Sequence, residues 1–227
     1  MYKRQVLGDH AVHLVRDGDR WLLASSTWGD FDRTTMAVTL ATSTDDLLTG
    51  EHVLDTEPLD LPTAALPGRV VGTWDPHLAR IDGHWHVAFV AARKFFDFYP
   101  ALARAAAPGR LDGWVLLGAA SDRHGTEGPQ LRRLDGTWRV LASDGAGNPR
   151  GLRQRFPVFD LAMAEIATLE APYPSNIPWP TLLERDGGWT MVTFDGTPYG
   201  GGVSGYGTHG DLVVMRTGAP DGRSREP

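Results

Sequence analysis

DPHLARIDGHWHVAF, residues 75–89, holds the pattern on which most of the chain is built. Three other stretches repeat it when aligned on tryptophan: AVHLVRDGDRWLLAS (11–25), GPQLRRLDGTWRVLA (128–142) and WPTLLERDGGWTMVT (179–193). The fourth position is leucine in every copy (Leu14, Leu78, Leu131, Leu182), and the eleventh is tryptophan (Trp21, Trp85, Trp138, Trp189). Proline takes the second position in three copies, as Pro76, Pro129 and Pro180. Aspartate and glycine fill the middle of all four. Each copy therefore predicts a hairpin. Asp-Gly supplies the positive φ of a tight turn between two short strands. Proline suits a strand start where no ladder donor is lost. Tryptophan gives the second strand a large apolar anchor.

Working outward, third strands are expected at 37–42 (AVTLAT) and 100–106 (PALARAA), and a closing strand at 211–216 (DLVVMR). Residues 159–169 (FDLAMAEIATL) carry partial helical spacing and read equally as strand and loop. A unit of this size cannot bury both faces alone, but it can when packed radially against its copies. The predicted fold class is all-β, a β-propeller; a sandwich or separate domains are the alternatives.

Composition agrees. The chain has 227 residues, of which 41% are hydrophobic, enough for a folded core. The 27 glycines and 16 prolines are spread along it and read as frequent turns. A net charge of −6 with no Lys/Arg cluster argues against a nucleic-acid partner. No apolar run reaches the roughly 18 residues of a membrane span. The absence of cysteine excludes disulfides and thiolate metal sites. Residues 1–5, Met-Tyr-Lys-Arg-Gln, read as a non-native leader or a short natural one. Residues 6–218 read as one propeller domain and 219–227 as a disordered tail. Nothing in these features assigns a compartment.

The inner strand of a propeller blade opens on the central channel, so the repeat starts converge there. They bring Asp9, His10, Trp74, Asp75, Glu127 and Trp179 to one end. Asp75 and Glu127 occupy neighbouring positions in adjacent repeats, and glycoside hydrolysis needs such a carboxylate pair. Trp74 and Trp179 suit sugar ring faces. Alternatively, Asp75 before Pro76 is a turn acceptor and Glu127 a solvated strand-end charge.

Thr126-Glu127-Gly128-Pro129-Gln130-Leu131 resembles the glutamate motif of family 43 glycoside hydrolases, and Trp74-Asp75-Pro76 resembles their second acidic motif. The resemblance spans the four repeats. It implies a five-bladed propeller, with four blades visible here, acting on arabinose- or xylose-containing oligo- or polysaccharides. It implies an inverting mechanism with Glu127 as general acid and Asp75 holding up its pKa. The sequence departs from the family at the general base, because the first copy opens on His10-Ala11. The base is then expected on a further blade preceding this chain, with Asp9 as the local substitute. His77, His124 and Asn176 are further candidates for binding sugar. The chemistry requires no cofactor. The resemblance also implies an ion, calcium, in the axial channel, with His209 as a ligand or as an ordinary loop histidine. The rival functions are a non-catalytic carbohydrate-binding propeller and a related hydrolase or phosphorylase acting on other sugars.

Overall fold

The computed structural model describes residues 9–27, 36–94, 97–145, 155–170, 179–185, 188–195 and 211–217. Asn176, His209, the 1–5 leader and the 219–227 tail lie outside these residues, as do the side chains of Asp9 and His10.

Four antiparallel meanders form, one per repeat. Blade I is β1 (Asp9–Asp17), β2 (Arg20–Thr27), β3 (Val38–Ser43) and β4 (Glu57–Pro58). Blade II is β5 (Gly72–Ile81), β6 (His84–Lys94), β7 (Asp97–Ala105) and β8 (Trp114–Ala119). Blade III is β9 (Thr126–Leu134), β10 (Thr137–Asp144), β11 (Arg155–Phe159) and β12 (Glu165–Glu170). Blade IV is β13 (Thr181–Arg185), β14 (Gly188–Asp195) and β15 (Asp211–Arg216). The sheets are arranged as a propeller of four blades, so the five-blade count implied by the resemblance is not met among the described residues.

The repeat explains each hairpin. Asp82 and Gly83 both have positive φ (48° and 81°), as do Asp135 and Gly136 (47° and 77°). That places two left-handed residues between Ile81, paired with His84, and between Leu134, paired with Thr137. In blade I the two-residue loop is Gly18-Asp19, and Asp17 pairs with Arg20. The first position of the repeat is also left-handed in every copy: Ala11 (φ 51°), Asp75 (51°), Gly128 (63°) and Trp179 (40°). The ladder slips there in three blades, between His10 and His13, between Trp74 and His77, and opposite Leu141 and Ser143. A bulge leaves one residue unpaired. Proline at the second position, lacking N–H, therefore loses no ladder bond.

The core lies between the faces of adjacent sheets. Leu22, Val38, Leu78, Trp85, Phe89 and Tyr99 pack blade I against blade II. Leu102, Leu131, Val140, Phe159 and Met163 pack blade II against blade III. Blade II is covered on both sides, and β6 is buried along nearly its whole length. Residues 159–169 take the strand-and-loop alternative. Asp160 Oδ1 accepts N–H bonds from Ala162 and Ala164, both at 2.9 Å, and this turn interrupts the helical spacing.

Candidate active site

The heads of the inner strands, repeat positions one to three together with Arg132 at the fifth position of blade III, line a pocket of about 350 Å³. Its walls include Ala11 and His13 of β1, Asp75 and His77 of β5, Gly128, Gln130 and Arg132 of β9, Trp179 and Thr181. Val192 and Thr193 of β14 and Leu212 of β15 complete it.

Asp75 and Glu127 are buried, at 8% and 4% exposure. Each carboxylate receives one nitrogen donor from the other's motif. The Gly128 N–H donates to Asp75 Oδ2 at 3.1 Å, and the Trp74 indole N–H donates to Glu127 Oε2 at 3.2 Å. Burial first, and the Glu127 charge second, push the Asp75 carboxyl well above the usual carboxylate range, while the Gly128 bond works weakly against them. Ionisation of both carboxylates together is therefore disfavoured.

Trp74 does not present a ring face. It is 5% exposed, meets Phe98 edge-on at 5.3 Å and directs its N–H at Glu127, so it orients the carboxylate. Trp179 is the exposed aromatic of the pocket, at 37%. Its indole crosses Gly128 so closely that a Cβ there would lie 2.5 Å from Trp179 Cδ1. Glycine at 128 therefore answers both to a positive φ and to this contact. The Trp179 backbone N–H donates to Ser143 Oγ at 2.9 Å, and Ser143 pairs with Glu127 across the β9–β10 ladder.

The start of β9 is pinned from behind. Arg123 and Asp144 form a buried ion pair at 3.1 Å, and Thr126 Oγ1 donates to Asp144 at 2.6 Å. Glu165 pairs with Arg123 on its other side. His124 does not line the pocket. Its Nδ1 lies 2.7 Å from Asp97, which also accepts from Arg93. Burial opposes ionisation of Asp97, yet the Arg93 and His124 bonds hold its carboxyl below the ordinary value.

His77 does reach the pocket wall, and its Nδ1 faces a backbone N–H of the next blade. The Leu131 N–H donates to His77 Nδ1 at 3.3 Å. One blade earlier, the Leu78 N–H donates to His13 Nδ1 at 2.9 Å. The Gln130 amide reaches Thr181 Oγ1 at 3.3 Å. The third repeat position thus stitches each blade to the next. Sequence reasoning passed over His13, Gln130, Thr181 and Arg132. The signal for the first three was the polar third position in all four repeats.

Comparison with solved structures gives the same architecture. An α-L-arabinofuranosidase of Clostridium thermocellum superposes with a TM-score of 0.61 at 11% identity, covering 94% of this chain and 70% of that one. An arabinanase of Bacillus subtilis gives 0.55 at 14% identity, covering 83% and 68%. A xylan β-1,4-xylosidase of Bacillus halodurans gives 0.61 at 18% identity, covering 98% of this chain but 42% of that enzyme. No protein-family model and no curated protein sequence matches the chain. At these identities the likeness is one of fold, and the fold is that of the family 43 propeller enzymes.

Proposed function

We propose that this propeller is a glycosidase acting on arabinose- or xylose-containing glycans, with Glu127 and Asp75 as its acid pair. The observation that carries the reading is the pairing itself. Two buried carboxylates stand at neighbouring repeat positions of adjacent inner strands, each accepting from a nitrogen donor of the other's motif, beside a pocket edged by Trp179. Two like charges so placed disfavour double ionisation, so the pair retains one proton at neutral pH. In hydrolysis Glu127 gives that proton to the leaving glycosidic oxygen as the bond to the anomeric carbon breaks. Water adds to that carbon, and its proton passes to a general base. Asp9 is the base candidate this sequence offers. Between turnovers the base releases its proton to solvent and the pair regains one from solvent, while Asp75 disfavours ionisation of Glu127 and Trp74 fixes its rotamer. The three similar enzymes are named for arabinose- and xylose-directed activities, which supports the substrate class.

One observation favours a binding propeller without hydrolysis: Glu127 is 4% exposed and is not among the pocket-lining side chains. A release assay separates the two readings. It compares the wild type with Glu127→Gln on nitrophenyl arabinofuranoside, nitrophenyl xyloside and arabinan. Glycosidase function predicts a rate lowered about 10²–10⁴-fold in the variant with sugar binding kept. Inactivity of both proteins, with sugar binding retained, establishes the binding module instead.

A further inference from the structure

His13 and His77 lie stacked in the pocket wall, with ring centroids 3.7 Å apart and planes at 21°. Their hydrogen bonds fix both tautomers. A backbone N–H can only donate, so the bonds from Leu78 and Leu131 make each Nδ1 an acceptor. A neutral ring so bonded carries its proton on Nε2. Both rings are held neutral, since burial above all lowers the pKa of His13 to about 4 and that of His77 well below its usual value. The pair therefore offers N–H donors and no nitrogen lone pair.

His77 is 7% exposed, and its Nε2 is fully buried with no hydrogen-bond partner. An orphan donor in a native interior calls for an occupant. Arg132 lines the same pocket, and its charge acts on both histidines. Its guanidinium donates to Gln130 Oε1 at 3.1 Å, its Nε is buried without a partner, and it meets no carboxylate among the described residues. A half-buried cation without a counter-charge is costly. Val12, Pro76, Pro129 and Val192 supply apolar walls.

We infer that this pocket binds a small monovalent anion, a halide or the carboxylate of an acidic sugar, between His77 Nε2–H and the Arg132 guanidinium. N–H donors attract an anion and repel a cation, so this spot is distinct from any site for the calcium expected from the sequence. Calcium takes about six to eight oxygens. The lining side-chain oxygens belong to Asp75, Gln130, Thr181 and Thr193, and His209 lies outside the described residues. The inference does not depend on hydrolysis, because it uses neither Glu127 nor a general base.

The test titrates the wild type with sodium bromide and follows the His77 Nε2–H resonance in a ¹H–¹⁵N spectrum. The expected result is a saturable shift that needs at least about tenfold more bromide in Arg132→Gln. Crystals soaked in bromide should show an anomalous peak within hydrogen-bond reach of His77 Nε2 and Arg132, which serves even if the variant does not fold. Sodium glucuronate distinguishes the two sources. Displacement of bromide by glucuronate identifies a sugar carboxylate, and retention of bromide identifies a halide. An unprotonated Nε2, a bromide response equal in wild type and variant, or a response to calcium with none to bromide overturns the inference.

Discussion

Asp75 holds a left-handed backbone that costs an L-residue ~1–2 kcal/mol, and it does so with its carboxyl buried beside a second carboxylate. Its folded pKa is raised, so it favours the fold when protonated, and that contribution is lost as pH rises through the folded value. At neutral pH it therefore works against stability. Asn has the same shape, tolerates the same φ and still accepts the Gly128 N–H bond. Asp75→Asn should raise the urea midpoint at pH 7 while lowering hydrolysis about 10²-fold or more, checked by denaturation and release assays side by side. A midpoint that falls would show that the ionised carboxylate is an asset to the fold. That Asp75 and Glu127 lie close together was legible in the sequence, because the repeat sets them at neighbouring positions of adjacent inner strands. The role of Trp74 was not, since a sequence does not tell which atoms of an indole are covered. Arg132 was equally silent: the fifth repeat position holds Val15, Ala79 and Leu183 in the other blades, and no pattern marks the exception.

At the level of strands, the four repeat tryptophans are alike in sequence and unlike in packing. Trp85 is 1% exposed within the core shared by blades I and II, whereas Trp138 is only partly buried beside the second core. Trp85→Ala should cost about 3–5 kcal/mol, and Trp138→Ala less than half as much, read from urea unfolding of each variant. Equal costs would mean that the blades contribute alike despite their different cover. The inner hairpins were legible because turn chemistry and tryptophan mark both of their strands. The strands expected at 37–42 and 211–216 formed at Val38–Ser43 and Asp211–Arg216. The outer strands β4, β8 and β11 were not foreseen, and β12 only as the strand alternative for 159–169. Pro157 within β11 breaks the strand signal, and β12 is exposed along most of its length, so no alternation of buried and open residues marks it.

Across the whole molecule, the inter-blade histidines make the fold sensitive to acid. The folded pKa of His13 is about 4 against an unfolded value of 6.5, so between those limits the unfolded chain binds the extra proton. Stability then falls as pH drops from 6.5 toward 4, by on the order of 2–3 kcal/mol from His13, and His77 adds to it in the same direction. Asp75 opposes this trend, so the Asp75→Asn background isolates it. In that background, His13→Gln should flatten the fall in urea midpoint between pH 7 and pH 5, since Gln130 already serves the equivalent position in blade III. An unchanged slope would place the acid sensitivity elsewhere. The repeated kink at the head of each inner strand has a consequence for how such a pocket diversifies. Alanine, aspartate, glycine and tryptophan all adopt it, so the backbone form persists under different side chains, although at 128 the crossing Trp179 indole leaves room for glycine alone. Positions 11, 75 and 179 thus act as sockets aimed at one axis, where new specificities can be written one residue at a time, while 128 changes only together with Trp179.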